Sequence, residues 1–420
     1  MYEKITLPNG VRIIYEHIPH VRSAALGIWI GTGSRHEKAP QSGVSHFIEH
    51  MLFKGTNTRT AAELADLMDS IGGRTNAFTT KECTCYYGHV LDTHLELLSE
   101  VLCDMLFNSK FDEADITNER GVIFEEIDMY NDSPDDLVAE RLSASIFKGS
   151  SLARPILGKK STLENMTGES LKDYLSANYF AGNIVIALSG SFSQSDVTRL
   201  SEFFSNTPSG KKNKLTAVKY TPSFIAKRKS IEQNHLCLGF PGLSVSDGDR
   251  YACQLMSSIL GGGMSSRLFR KVREERGLCY SVYSYSSSYI DTGVFNIYTA
   301  LGKDSEQEAL SVITDEIKKF KDKGVTSDEL DRAREQVKAN VLMGLESTGS
   351  RMNRLGRSEL FLGSVTDTDE LIAEYDKVTA EDLRVLAGRY LDFSKMSFSA
   401  VGRTDSAEQY RELIYGLTSA

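Results

Sequence analysis

The sequence repeats one pattern at about half of its length, and this repeat limits the folds that the chain can adopt. Thr167 and Thr379, which lie 212 residues apart, each precede a helix start with an acidic residue in the first turn. A second pair of helix starts, at Asp112 and Thr326, has nearly the same offset, 214 residues. Two matches at nearly one period indicate an internal duplication.

Each half alternates predicted strands with predicted helices. Residues 24–31 and 77–90 have the composition of strands, whereas the apolar residues from Ala61 to Ile71 have helical spacing and end at a glycine pair. We therefore predict an α+β fold of two homologous domains that arose by duplication. Each domain is expected to be a mainly antiparallel sheet with helices packed on it.

A polar and basic stretch marks the join between the two copies. Thr207–Gly210 has the composition of a turn, and the run Lys211-Lys212-Asn213-Lys214 is typical of a solvated linker. We predict an N-terminal domain over residues 1–205, a linker over 206–230, and a C-terminal homologous domain over 231–420.

The composition excludes several classes of function. The formal net charge of −9 at pH 7 argues against nucleic-acid binding and is compatible with basic peptides as ligands. The first residues lack the pattern of a targeting sequence, and no apolar run approaches the roughly 20 residues that span a bilayer. We expect a cytoplasmic protein without a membrane partner, whose six cysteines are reduced thiols that are buried or half-buried.

The segment His46–His50 places two imidazoles and one carboxylate, Glu49, on a single helical turn. Such a pattern also occurs on ordinary surface helices. Here its neighbours are apolar, and burial of these polar groups is costly unless they are paired or bind a metal. Gly43 and Ser45 supply a helix start, with Ser45 as a candidate N-cap. The spacing is that of the inverzincin motif HxxEH, in which the histidines bind a metal and the glutamate is a general base.

A zinc ion in a catalytic site usually has three protein ligands, so a third ligand is expected elsewhere. The helix that contains Glu119 and Glu126 is the obvious donor, because these acids are seven residues apart on one face. Glu125 points about 100° away and is expected to be solvated. The second copy has Ala333 and Asn340 at the corresponding positions, so its acids are absent. Position alone does not decide between Glu119 and Glu126.

These residues resemble the pitrilysin and mitochondrial processing peptidase family of zinc peptidases. The resemblance rests on residues 43–56, residues 72–79 and residues 119–126, and it covers nearly the whole chain. In the family the distal ligand follows the second histidine by 76 positions, which implies that Glu126 is the ligand and Glu119 a supporting acid. The implied metal set is therefore His46, His50 and Glu126, with Glu49 catalytic and one Zn²⁺ per chain.

The resemblance also implies the reaction and its substrates. The expected activity is that of a zinc metalloendopeptidase, which hydrolyses leader, signal or other unfolded peptides inside a chamber formed by two chains. The strand that contains Asn76, Ala77 and Phe78 is similar to the family's edge strand, which pairs with the backbone of an extended peptide. Loose specificity would follow, because main-chain hydrogen bonds do not depend on side chains.

The second copy carries its own candidate residues. In the family, an arginine and a tyrosine seven residues later contact the substrate backbone and the developing oxyanion, and Arg273 and Tyr280 fit this spacing. The glycine-rich segment 260–266 is similar to a short form of a substrate-gating loop. Because one chain carries both sets of residues, we predict a homodimer in which Arg273 and Tyr280 of one chain complete the zinc site of the other.

Two alternatives remain open at this point. The chain could be a catalytic subunit that requires a distinct, non-catalytic partner, although the presence of Arg273 and Tyr280 argues against this. It could also be a non-enzymatic assembly protein of the same fold, although such members usually lose the zinc motif.

Overall fold

The structure, a computed structural model, describes residues 2–211 and 214–419. Lys212 and Asn213, in the predicted linker, lie outside the described residues. The strands, in chain order, are β1 (Glu3–Thr6), β2 (Arg12–His17), β3 (Ser23–Ile30), β4 (Arg74–Thr79), β5 (Thr84–Leu91), β6 (Ile184–Gly190), β7 (Phe224–Arg228), β8 (Asn234–Gly242), β9 (Cys279–Ser288), β10 (Gly293–Leu301) and β11 (Ser397–Gly402).

The helices, in the same order, are α1 (Val44–Met51), α2 (Ala61–Ser70), α3 (Leu95–Asn108), α4 (Glu113–Asp132), α5 (Pro134–Ile146), α6 (Lys160–Leu163), α7 (Gly168–Asn178), α8 (Gln194–Phe204), α9 (Arg250–Gly261), α10 (Glu306–Lys323), α11 (Ser327–Gly344), α12 (Thr348–Leu362), α13 (Thr368–Lys377), α14 (Ala380–Tyr390) and α15 (Ala407–Ser419). None of the helices among the described residues is both long and apolar enough to cross a lipid bilayer.

The chain divides into two compact units that are not continuous in sequence. Unit 1 contains Met1–Asp128, Arg154–Thr216 and Leu342–Val365, and unit 2 contains Met129–Ala153, Ala217–Val341 and Thr366–Ala420. Each unit therefore includes one segment from the opposite half of the chain, which the predicted domains 1–205 and 231–420 leave out. Their boundaries stay a prediction.

Unit 1 is built on a sheet with the strand order β1-β2-β6-β3-β5-β4. Neighbouring strands are antiparallel except β2 and β6, which are parallel. Along β3, Leu26 and Ile28 belong to the core that also contains apolar residues of α1, α3 and α7. Ala25 and Trp29 belong to a separate cluster with Met352 of α12. This alternation follows from the period of two in a strand, whose successive side chains point to opposite faces. The strand order leaves β4 at one edge of the sheet.

Unit 2 repeats this plan. Its sheet has the order β7-β11-β8-β10-β9, in which only β7 and β11 are parallel. One face packs against a core that includes residues of α9, α10 and α14. The other face is covered by α5, whose Val138 and Leu142 lie against Cys237 and Val401. The predicted α+β class, with two homologous and mainly antiparallel domains, is confirmed.

Other local predictions hold or fail for identifiable reasons. The two threonine-capped helices exist as α7 and α14, and all six cysteines are buried free thiols. The single strand predicted over residues 77–90 is wrong, because residues 80–83 turn the chain between β4 and β5. The predicted linker also contains β7, whose Lys227 and Arg228 hid its strand character; charges are common on such edge strands.

Candidate metal centre

Helix α1 brings the two histidines of the HxxEH segment together. One helical turn separates His46 from His50, and their Nε2 atoms lie 3.2 Å apart. Phe47, Ile48 and Met51 occupy other positions of α1 and are buried in the core of unit 1. The apolar residues thus fix the helix, while the imidazoles face each other at its polar side.

Helix α4 supplies the third donor atom. Glu126 Oε2 lies 3.6 Å from Nε2 of His46 and 3.6 Å from Nε2 of His50. These three residues form a group that could hold a metal ion, and no other such group occurs in the described part of the chain. Glu119, two turns earlier on α4, instead contacts the far nitrogen of His50. Glu125 is exposed, as the helical spacing predicted.

The donor atoms fit zinc. In a tetrahedral zinc site with bonds of about 2.0 to 2.1 Å, neighbouring ligand atoms lie about 3.3 Å apart, close to the separations seen in this cluster. Two imidazole nitrogens and one carboxylate oxygen are also the ligand types that zinc prefers. Oε2 of Glu126 is buried and has no hydrogen-bond donor among the described residues. A cation would satisfy this atom.

The ionisation of the cluster is also suited to a metal. Burial, reinforced by the nearby His50, lowers the pKa of His46 to about 3, so its imidazole is neutral at neutral pH. Only a neutral imidazole has a free lone pair for a metal. Burial and the neighbouring Glu119 raise the pKa of Glu126, which reflects the cost of a buried carboxylate without a cation.

His50 is oriented by residues outside the donor set. Its Nδ1 atom lies 2.8 Å from Glu119 Oε1, and Lys54 Nζ lies 2.6 Å from Glu119 Oε2. Because the carboxylate accepts, Nδ1 of His50 carries the proton and Nε2 is left free for a metal. Burial opposes the ionisation of Glu119, but hydrogen bonds from His50 and Lys54 outweigh it and lower its pKa. The sequence reasoning missed Lys54, although it lies one turn after His50.

Glu49 is held by the end of the edge strand. The hydroxyl group of Thr79, the last residue of β4, donates to Glu49 Oε2 at 2.5 Å. Burial raises the pKa of Glu49, and the hydrogen bond from Thr79 opposes this rise. Thr79 belongs to the segment 72–79 on which the family resemblance rests. Its contact with Glu49 was not predicted, because sequence spacing does not reveal contacts between residues 30 positions apart.

The predicted substrate strand, residues 76–78, lies in β4 at the edge of the unit 1 sheet. Asn76 is exposed, and its side-chain oxygen accepts the backbone N–H of Ala77 at 2.8 Å. Phe78 packs edge-on against Trp29, with ring centroids 5.5 Å apart. The strand therefore has one partner, β5, and its outer edge is open to a second.

Arg273 and Tyr280, the predicted oxyanion and substrate-backbone residues, lie within unit 2. The guanidinium group of Arg273 stacks between two aromatic rings, 4.7 Å from the centroid of Phe269 and 4.8 Å from that of Tyr280. Tyr280 is the second residue of β9 and is 73% exposed. The glycine-rich segment ends α9 and presents Met264, which is 75% exposed. The structure thus brings Arg273 and Tyr280 together and keeps the tyrosine accessible.

Comparison with known proteins defines the family. Residues 12–160 match the insulinase family, peptidase family M16, and residues 165–337 match the peptidase M16 inactive domain. A Bacillus subtilis protein named uncharacterized zinc protease YmxG is 45% identical over 92% of this chain and 95% of its own length. An uncharacterized zinc protease of Streptomyces coelicolor is 39% identical over 95% of this chain and 89% of its own. The chain belongs to peptidase family M16, which confirms the family predicted from the motifs.

Solved structures show the same fold. A peptidase M16 inactive domain from Pseudomonas fluorescens has a TM-score of 0.89 at 21% identity, covering 97% of this chain and 98% of that one. A protease from Helicobacter pylori has a TM-score of 0.87 at 20% identity, covering 96% of this chain and 99% of that one. These similarities show that the chain shares the fold of both solved structures.

Proposed function

We propose that this protein is a zinc-dependent endopeptidase that hydrolyses extended, unfolded peptides. The observation that carries the proposal is the convergence of His46, His50 and Glu126 on one point, beside the carboxylate of Glu49. A metal-binding protein without catalysis would need the three ligands but not Glu49. The names of the two bacterial relatives, both zinc proteases, support the same activity.

His46, His50 and Glu126 would hold the zinc ion. When bound there, zinc supplies a Lewis acid that polarises the scissile carbonyl and lowers the pKa of a water molecule. Glu49 takes the proton of the attacking water and later returns it to the leaving amine. Thr79 holds the Glu49 carboxylate in one orientation by a single short hydrogen bond.

The edge strand β4 supports a preference for extended peptides. A peptide that adds to this edge pairs through its backbone, so affinity does not depend on particular side chains. The negative net charge of the chain favours basic peptides. Leader, signal or other unfolded peptides satisfy both conditions.

Arg273 and Tyr280 are proposed to complete the active centre from a second copy of the chain. The exposed phenol of Tyr280 would donate to the oxyanion of the tetrahedral intermediate, and Arg273 would bind the substrate backbone. Two copies related by a two-fold axis would then enclose a cytoplasmic chamber with two equivalent centres.

Metal removal and replacement test the proposed reaction. The chelated protein should not cleave a library of unfolded peptides, and zinc should restore cleavage. Glu126→Gln should lose both zinc and activity, whereas Glu125→Gln, its exposed neighbour on α4, should keep both. Cleavage that persists after verified removal of all metal would contradict the proposal.

Subunit mixing tests the proposed homodimer. Glu49→Gln and Tyr280→Phe proteins, each strongly impaired alone, should regain activity when mixed, because every hybrid dimer contains one intact centre. No recovery after demonstrated subunit exchange would refute shared centres. Wild-type protein that is inactive alone but active with a different subunit would instead support a heterodimer.

A further inference from the structure

The helix that carries the metal cluster lacks a side-chain cap of its own. Helix α1 has only eight residues, and its N-cap is Gly43, which has no side chain and a left-handed φ of 97°. His46 is the third residue of α1 and lies in the first turn, where backbone N–H groups have no partner within the helix. The position of His46 therefore depends on whatever satisfies this turn.

Glu37, which lies outside α1, accepts hydrogen bonds from the backbone N–H groups at the start of this helix. Glu37 Oε2 accepts the backbone N–H of Gly43 at 2.8 Å, and Oε1 accepts that of Ser45 at 2.9 Å. The residue is 3% exposed, so its carboxylate is removed from water. Ser45, predicted as the N-cap, is thus not the cap but one of the groups being capped. A carboxylate here also interacts favourably with the positive end of the helix dipole.

The segment that carries Glu37 is fixed in turn to the hairpin of the edge strand. The N–H of Arg35 donates to the carbonyl of Lys81 at 2.7 Å, and the buried side chains of Arg35 and Glu82 form an ion pair at 2.5 Å. A Cβ atom at Gly33 would collide with the carbonyl of Thr80, so this approach requires glycine. The same β4–β5 hairpin carries Thr79, the last residue of β4, which holds Glu49. Segment 33–37 therefore contacts both the helix that carries the histidines and the hairpin that orients Glu49.

We infer that Glu37 is a positioning residue for the zinc centre. It acts through the first turn of α1 to hold His46 where it can share a metal ion with His50 and Glu126. This inference rests on the proposed zinc site. Loss of a helix cap lowers the stability of the protein wherever the helix lies. Metal ligands, however, must be held within about 0.5 Å of their productive geometry, so a loosened first turn at this helix also weakens metal binding.

Zinc affinity and the absorption spectrum of the cobalt-substituted protein test the inference. Glu37→Gln keeps one acceptor oxygen for two N–H groups, and Glu37→Met keeps none. Thr60→Ala is the matched control, because Thr60 accepts the N–H of Glu63 at 3.2 Å and caps α2, a helix without cluster residues. Burial raises the pKa of Glu37 to about 7 against these two backbone donors, so measurements belong at about pH 8.5, where the carboxylate is ionised.

We expect Glu37→Gln to weaken zinc binding about 10-fold and Glu37→Met to weaken it further, with altered cobalt bands. Thr60→Ala should lower the unfolding midpoint comparably but leave zinc affinity and cobalt bands as in the wild type. Unchanged metal binding in Glu37→Gln, with wild-type protein binding zinc normally, would overturn the inference alone. Failure of the wild-type protein to bind zinc would overturn the proposed function and this inference with it. If Glu37→Met does not fold, Glu37→Gln decides.

Discussion

The orientation of His50 depends on a chain of two contacts that ends at a lysine. Lys54 holds one oxygen of Glu119, and the other oxygen holds Nδ1 of His50. The ammonium group keeps Glu119 anionic, and an anionic Glu119 fixes the imidazole tautomer that leaves Nε2 free. Lys54 therefore acts on the metal centre without touching its donor atoms.

Lys54→Met is expected to weaken zinc binding about 10-fold, because Glu119 loses its cationic partner and holds His50 less firmly. Lys54→Arg, which keeps the charge, should bind zinc within a few-fold of wild type. Competition with a chromophoric chelator measures both. Lys160→Met is the control, since it removes an exposed ion pair to Asp128, which lies on α4 as Glu119 does. Equal zinc affinity in Lys54→Met and wild type would show that Glu119 needs no partner.

Thr79→Val should reduce kcat about 10-fold with little change in KM, because Glu49 loses the hydrogen bond that orients it while β4 keeps its backbone. Steady-state kinetics on a fluorogenic peptide measure this. Thr75→Val on the same strand is the control, since the hydroxyl group of Thr75 donates to the sulfur of Met68 rather than to Glu49. A matching loss in both variants would point to damage of the strand rather than to Glu49.

The residues of the centre differ in how far sequence could predict them. His46, Glu49 and His50 follow from helical spacing, because α1 fixes their separation. Glu119 and Glu126 share a face of α4, so only the crossing of α4 over α1 decides which reaches the cluster. That crossing is tertiary packing. For the same reason, the contacts of Lys54 and Glu37 were not predictable from sequence periodicity.

The edge strand β4 offers a backbone donor whose use can be tested. The N–H of Ala77 donates to the side-chain oxygen of Asn76 at 2.8 Å, a contact that a docking peptide would displace. Ala77→Pro should therefore leave the sheet and zinc binding intact but raise KM at least several-fold, because a docking peptide loses one backbone hydrogen bond. Ala77→Gly, which keeps the N–H, should retain the wild-type KM. Unchanged KM in the proline variant would exclude β4 as the docking edge.

The start of α11 depends on a carboxylate with a strongly shifted pKa. Arg267 forms two hydrogen bonds to Glu329, at 2.7 and 2.8 Å, and Thr326 donates its backbone N–H to the same carboxylate. Burial opposes ionisation of Glu329, but these donors outweigh it and lower the pKa to about 2 from 4.5. Its stabilising contribution is therefore fully present above about pH 4.5 and is lost as the pH falls towards 2.

Glu329→Gln should accordingly be less stable than wild type at neutral pH, and the difference should shrink as the pH falls from about 5 to about 3. Urea unfolding of both proteins across this range measures the difference. A difference that stays constant with pH would show that Glu329 stabilises α11 by packing rather than by its charge.

Two elements show why local sequence patterns mislead. Residues 80–83 fell within one predicted strand, yet the backbone turns there, and the N–H groups of Ser34 and Arg35 donate to carbonyls of the turn. Helix α1 has Gly43 rather than Ser45 as its N-cap, and Glu37, which precedes the helix by seven residues, supplies the capping oxygens. In both places a contact from outside the element replaces the local signal on which the prediction rested.

The duplication predicted from two offsets is visible in the sheets, because the order β7-β11-β8-β10-β9 of unit 2 corresponds to β2-β6-β3-β5-β4 of unit 1, whose sheet has β1 in addition. What the sequence did not reveal is the exchange of helices: α5 and α12 each pack in the unit of the opposite half. Their apolar faces carry no information about which sheet they cover. The copies have also diverged, since unit 2 has the buried Ala333 and the exposed Asn340 at the positions of Glu119 and Glu126. Among the described residues, only unit 1 therefore carries a cluster that could hold a metal ion.

Zinc content and peptide cleavage, measured on the same preparation of Glu49→Gln protein, decide whether the centre is hydrolytic. The variant should hold one zinc ion per chain, because His46, His50 and Glu126 are intact, and it should cleave unfolded peptides about 10²- to 10⁴-fold more slowly than wild type. Wild-type cleavage by the zinc-loaded variant would contradict the role of Glu49 and the active centre proposed around it.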